Sequence, residues 1–179
     1  MPRFTPEDDK QVMEMIRGTP AYRFSGFTSK FRGGVNVQRL EELLCKLFNV
    51  KHCITVNSGT SALIIGMGAL HLNKFSTFTY CPCYTFTACA ASILWWQPQG
   101  IEFVDIDPAT LCMDTRIVAE KESGKIRHGA GEKDNKYACL AVHSLGAACD
   151  LDILPATMPL MNDCAQAFKS AYQYNNNQK

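Results

Sequence analysis

With 179 residues, 46% of them hydrophobic and 20% charged, the chain is long enough to bury a core as a globular domain. Eighteen basic against seventeen acidic residues leave a formal charge of +1, which excludes a broad electrostatic footprint for nucleic acid or an anionic membrane and favours small-molecule chemistry. The opening MPRFTPEDDK has no apolar signal region, and the longest greasy stretch, residues 88–96, is too short to span a bilayer, so a cytoplasmic protein is expected.

Elements are expected to alternate along the chain. Residues 7–17 have helical periodicity, with Val12, Met13 and Ile16 on one side. A Gly-rich, basic connector leads to a second amphipathic helix over 37–48, where Leu40, Leu43, Leu44 and Leu47 oppose Arg39, Glu41, Glu42 and Lys46. Then come a strand at 53–56, a helix at 60–70, a strand at 78–81, a helix at 87–96 and a strand at 101–104. Residues 120–136 read as a polar surface loop, 138–142 as a strand ended by His143, Leu160 and Met161 as a strand leading into Asp163, and YQYNNNQK as a frayed tail. Strands alternating with helices imply right-handed crossovers and a largely parallel, buried sheet.

Nine cysteines are many, but Cys45, Cys53, Cys89, Cys139 and Cys164 sit in apolar surroundings, where a thiol behaves as a small hydrophobe, and the odd total argues against a complete disulfide framework. Cys81 and Cys83 flank Pro82 without forming CxxC, no second pair stands at zinc spacing, and the four histidines show no HxH or HxxxH. No metal site is expected.

In open parallel sheets the ligand site lies at the carboxyl ends of the strands. Three unusual clusters fall there. NSGTSAL, residues 57–63, follows one strand: Gly59 lets backbone approach a ligand, and unpaired N–H groups of Thr60 and Ser61 at the start of a helix would cradle a phosphate. It lacks the lysine of a P-loop and the GxGxxG of a dinucleotide fold, and a plain N-cap by Ser58 or Thr60 is the alternative. Gly66 and Gly68 fall inside the helix, where close packing explains them. In CPCYTFTACA, residues 81–90, Phe86 either lies flat on a planar ligand or belongs to the core. In NDCAQAF, residues 162–168, Asp163 closes an apolar strand with Gln166 three positions on, and a carboxylate there needs a cationic or hydrogen-bonding partner.

Together, VKHCITVNSGTSAL, CPCYTFTACAASI, IEFVDIDPATLCMD, VHSLGAACDLD and NDCAQA resemble the nucleotide-sugar aminotransferases of the DegT/StrS type, which are fold-type I pyridoxal-phosphate enzymes. The resemblance runs over about 37–171. It implies a three-layer α/β/α sandwich with a mixed, mostly parallel sheet: the N-terminal portion of the large domain, C-terminally incomplete. Residues 1–36 would form an N-terminal helix and substrate-side connector, 37–171 the cofactor-binding domain and 172–179 a polar tail. The resemblance further implies that Gly59, Thr60 and Ser61 hold the phosphate of pyridoxal 5'-phosphate, that Phe86 stacks on its ring, that Asp163 pairs with the ring nitrogen and that Gln166 bonds the 3-hydroxyl. Ser25, Gly26 and Phe27 in YRFSGFTSKFRGG would face the sugar substrate, while Arg23, Lys30 and Arg32 either meet a diphosphate or are simply solvated. His143 either lies near the ring or is a core histidine bonded to backbone; Asp105 and Asp107 look structural.

The family's Schiff-base lysine is not matched by Lys169 or Lys179, so no catalytic residue is expected in the chain, which would carry half of a site. Other departures from the family are Asn162 for an acid, Cys164 for alanine and Cys89 for a small hydroxyl residue, and Pro155 and Pro159 should stunt the helix expected before Asp163. The implied function is transfer of an amino group, commonly from glutamate, to a 3-keto or 4-keto nucleotide sugar through pyridoxamine phosphate, with a homodimer or a separate C-terminal half as partner. Two alternatives stay open: a non-catalytic remnant or interaction protein that keeps the fold, and a related dehydratase with histidine in place of the lysine.

Overall fold

Three carboxylates, Glu7, Asp8 and Asp9, open helix α1 (Pro6–Gly18) and Arg17 stands in its last turn, the signs that the helix dipole favours at each end. The computed structural model describes residues 4–18, 34–70, 77–97, 100–124, 136–168 and 170. The chain divides into two compact units, Met1–Thr55 and Val56–Lys179. In the first, Thr5 and Asp8 cap α1 reciprocally: the Asp8 carboxylate accepts the Thr5 N–H at 2.7 Å, while the Thr5 hydroxyl oxygen accepts the Asp8 N–H at 3.3 Å. Helix α2 (Val35–Phe48) ends at Asn49 in the left-handed region, φ 51°, a conformation that asparagine tolerates. Leu40, Leu43 and Leu47 of α2 are exposed. Glu41 accepts both the backbone N–H and the hydroxyl of Thr55, at 2.8 and 3.0 Å, and so ties α2 to the segment that follows it.

That segment corrects one expectation. Residues 53–56 form no strand, and Ile54 is 76% exposed. Apolar β-branched residues suit a strand, but a strand exists only through a ladder of bonds to a neighbour, and none is made here among the described residues.

The second unit is built on four parallel strands, β1 (Thr77–Pro82), β2 (Ile101–Val104), β3 (Lys136–Val142) and β4 (Leu160–Asp163), in the order β2-β1-β3-β4. Antiparallel pairing among the described residues is confined to an isolated bridge between Ile106 and Met113. Alternating side chains give the sheet two buried faces. Cys81, Leu140 and Val142 meet Leu63 and Met67 of α3 (Gly59–Ala69) and Ala88, Cys89 and Ile93 of α4 (Thr87–Trp96). Tyr80, Tyr137, Cys139 and Ala141 meet Val118 of α5 (Thr115–Glu122) together with Cys112, Met113 and Cys149. The result is three layers.

Helix α5 was not expected, and it takes in Glu120 to Glu122 of the supposed loop. Asp114 caps it by accepting the Arg116 N–H at 3.0 Å, and the Arg116 guanidinium beside it holds its carboxyl below the usual carboxylate range. Residues 125–135 of that loop lie outside the described residues, as do the connector 19–33 and the tail 171–179. Between β3 and β4 runs a short 3-10 turn (Ser144–Gly146) followed by further turns through Pro155, with no α-helix; the prolines have the expected effect.

Helix α3 lies close to α4 at Gly68 and to β4 at Gly66. A Cβ on Gly68 would stand 2.6 Å from Trp96 Cζ2, and one on Gly66 2.6 Å from Met161 Cε. Trp96 Nε1 donates to the Ile64 carbonyl at 2.7 Å. The later turns of α3 therefore meet the last turn of α4. No helix among the described residues is long and apolar enough to cross a membrane.

Candidate functional site at the carboxyl end of the sheet

At the start of α3, Ser58 has an extended backbone and its hydroxyl oxygen accepts the Ser61 N–H at 3.1 Å. The capping alternative is thus realised, and it corrects one detail: the Ser61 N–H is taken. Among the described residues no acceptor meets the N–H groups of Gly59 and Thr60, which face an open surface, since a Cβ on Gly59 would find nothing within 4 Å. The cap consumes one donor and leaves two, with the Thr60 and Ser61 hydroxyls beside them. Two N–H groups at a helix N-terminus fit an anion such as a phosphate.

Phe86 is the N-cap residue of α4 and is 74% exposed, so it is not a core residue. Its carbonyl accepts the Cys89 N–H at 3.0 Å, which fixes the turn that carries the ring. An exposed aromatic face at a strand end fits a planar ligand.

Asp163 ends β4 opposite Val142 of β3. Its Oδ1 accepts the Ala165 N–H at 3.0 Å and its Oδ2 accepts the Cys89 S–H at 3.4 Å. Each carboxylate oxygen offers two lone pairs, so both keep capacity for a cationic N–H. Gln166 uses Oε1 to accept the Leu145 N–H at 3.0 Å, which reserves its Nε2 for donation. Leu145 itself stands in the left-handed region, φ 52°, in the turn after β3, a strained conformation for a branched residue of a kind found around ligand sites.

His143 is 9% exposed; its Nδ1 accepts the Cys149 N–H at 2.9 Å, and Nε2 stands 3.2 Å from Asn162 Oδ1. The proton must then sit on Nε2, with Asn162 as its acceptor. This is a core histidine bonded to backbone. Asp105 and Asp107 are turn residues as expected, accepting the N–H groups of Ile106 at 2.8 Å and Ala109 at 2.9 Å.

Phe86 and Asp163 are joined through Cys89, and Gln166, three residues after Asp163, is held by Leu145. Gly59, Thr60 and Ser61 open α3 and make no hydrogen bond to them among the described residues. Ser25, Gly26, Phe27, Arg23, Lys30, Arg32, Lys169 and Lys179 lie outside the described residues. The residue that sequence reasoning undervalued is Cys89. It is buried, the Thr85 hydroxyl donates to its sulfur at 3.2 Å, and burial pushes its thiol up to about 11. The spacing of four residues between Thr85 and Cys89 was the available signal.

Comparison with known proteins bears on the family and the fold. The profile of the DegT/DnrJ/EryC1/StrS aminotransferase family matches residues 25–177. The L-glutamine:2-deoxy-scyllo-inosose aminotransferase of Streptomyces lividus is 28% identical over 169 residues, covering 91% of this chain and 36% of its own length. Among solved structures, the aminotransferase from Psychrobacter cryohalolentis superposes with a TM-score of 0.75 at 22% identity, over 96% of this chain and 40% of that one. A GDP-4-keto-6-deoxymannose-3-dehydratase with a trapped PLP-glutamate geminal diamine superposes with a TM-score of 0.61 at 21% identity, over 79% of this chain and 36% of that one. The chain thus spans two fifths or less of each of these three proteins, and shares the fold of the two solved structures over that span. It belongs to the DegT/DnrJ/EryC1/StrS aminotransferase family.

Proposed function

We propose that the chain supplies the cofactor-binding half of a pyridoxal-phosphate-dependent aminotransferase that acts on a cyclic keto sugar. Pyridoxal phosphate, when bound, would supply an aldehyde carbon to carry the amino group from an amino acid to a carbonyl acceptor and an electron-withdrawing ring to take up the electron pair left when the Cα proton departs. The Gly59 and Thr60 N–H groups, with the Thr60 and Ser61 hydroxyls, bind the phosphate. Phe86 covers one face of the ring and excludes water from it. Asp163 keeps a proton on the ring nitrogen, and Gln166 donates from Nε2 to the ring oxygen. The observation that carries this reading is the Asp163 carboxylate, set at a strand end, accepting on both oxygens from uncharged donors, and joined through Cys89 to the turn that carries the exposed Phe86 ring.

The resemblance favours a nucleotide-linked acceptor with glutamate as donor. The Streptomyces lividus relative is named for glutamine and 2-deoxy-scyllo-inosose, which widens the class to cyclic polyol ketones and to either donor. Lys121 pairs with Glu102, the second residue of β2, toward the opposite end of the sheet. On this reading a lysine that completes the site would be supplied by a further segment or by a partner chain. Likeness to a dehydratase structure favours a second reading, sugar dehydration on the same half-site; the residue that would stand in place of the lysine separates the two.

The test is an absorbance titration of the full chain with pyridoxal phosphate, alone and with Asp163→Asn. The proposal expects saturable binding and an absorbance band that moves in the variant. Absence of saturable binding would leave a fold without the cofactor role, the remnant alternative.

A further inference from the structure

We infer that Cys89, backed by Thr85, is the positioning residue that fixes the plane of the Asp163 carboxylate for the ring nitrogen; the inference rests on the cofactor reading above. One hydrogen bond, from the Ala165 N–H to Oδ1, pins one oxygen but lets the carboxylate rotate about it. A second bond on Oδ2 is needed to set the plane, and among the described residues Cys89 makes it, at 3.4 Å. Cys89 lies in the first turn of α4, buried against the sheet, so its own position is set by packing. Its thiol rotamer is set by Thr85, whose hydroxyl donates to the sulfur at 3.2 Å.

The choice of sulfur has a chemical consequence. A thiol is a weak donor, whereas a hydroxyl in the same place would make a shorter and stronger bond to the anion. Cys89 therefore orients the carboxylate and takes little of its negative charge, which stays available to a ring N–H. Burial, which pushes the thiol up to about 11, keeps it protonated and donating at neutral pH. Thr85 and Cys89 also bracket Phe86, so one turn of chain locates the ring platform and braces the carboxylate together.

The experiment uses the full chain with Cys89→Ala, Cys89→Ser, Thr85→Val and Asp163→Ala. In the ligand-free protein the infrared S–H stretching band of Cys89, assigned from the difference between the parent and Cys89→Ser, should move in Asp163→Ala, because its acceptor is gone. In the loaded protein Cys89→Ala should weaken pyridoxal phosphate binding by about 3- to 10-fold, the worth of one weak hydrogen bond, and shift the pH dependence of the bound cofactor's absorbance. Cys89→Ser should restore affinity to within about twofold, and Thr85→Val should show a smaller loss of the same sign. An S–H band that stays put in Asp163→Ala, or a Cys89→Ala variant with parental affinity and absorbance profile, overturns the inference. If Asp163→Ala also leaves the cofactor's spectrum unchanged, the cofactor reading itself has failed. If only the Cys89 and Thr85 variants are silent, that reading stands and the positioning role falls.

Discussion

The two parts of the site are built from different materials. At the start of α3 the groups proposed to bind phosphate are the backbone N–H groups of Gly59 and Thr60, left open by the helix N-terminus. At the end of β4 the groups proposed to meet the ring are the side chains of Asp163 and Gln166, each held by a bond from elsewhere: Cys89 and Ala165 for the first, Leu145 for the second. A backbone site tolerates side-chain change until a side chain fills its space. A side-chain site depends on every member of its bracing network.

The comparison can be broken most forcefully at the α3 end. Gly59→Val with Thr60→Val puts branched carbon where the anion would sit and removes a hydroxyl, so pyridoxal phosphate affinity should fall about tenfold or more by absorbance titration. Unchanged affinity would return NSGTSAL to a simple cap. The placement of α3 is tested by Gly68→Ala, whose Cβ would stand 2.6 Å from the Trp96 ring; overpacking there should cost about 1–3 kcal/mol in denaturant melts. Gly66→Ala should cost less, because the atom it meets is the flexible end of Met161. Ser58→Ala sharpens the contrast, since loss of the cap should destabilise by about 0.5–2 kcal/mol while freeing the Ser61 N–H, so that stability falls and phosphate affinity does not.

The smallest effect is on pH. Burial raises Cys81 to about 12 and Cys89 to about 11 from an ordinary 9.0. The folded state then holds protons that the unfolded state releases, so their contribution is complete below about pH 9 and is lost as pH rises through these values. Melts at about pH 8 and about pH 10 should show the alkaline sample less stable, by up to about 1 kcal/mol per buried thiol.

Much of this was legible in the sequence where local signals were strong and agreed. The ranges 87–96 and 101–104 coincide with α4 and β2, because an apolar helix and an apolar strand follow each other with a polar turn between them. Gly66 and Gly68 were read as packing residues, and both are. The misses have physical reasons. Helix α5 is eight residues long and largely polar; its signal was the cap, Asp114, rather than a periodic apolar face. Residues 53–56 have strand composition, but strandedness belongs to a pair of segments, not to one. The use of the Ser61 N–H and the bond from Cys89 to Asp163, 74 residues apart, depend on where side chains point in three dimensions. Cys89 looked like a departure from a family pattern. Its bonds to Thr85 and Asp163 appear only in the fold.

The central claim is that Asp163 keeps a proton on the cofactor's ring nitrogen. The direct measurement is nitrogen NMR of the full chain loaded with pyridoxal phosphate labelled at that nitrogen, compared with Asp163→Asn. A resonance at the protonated position in the parent, moving to the unprotonated position in the variant, is the expected result. The same resonance in both proteins would contradict the account.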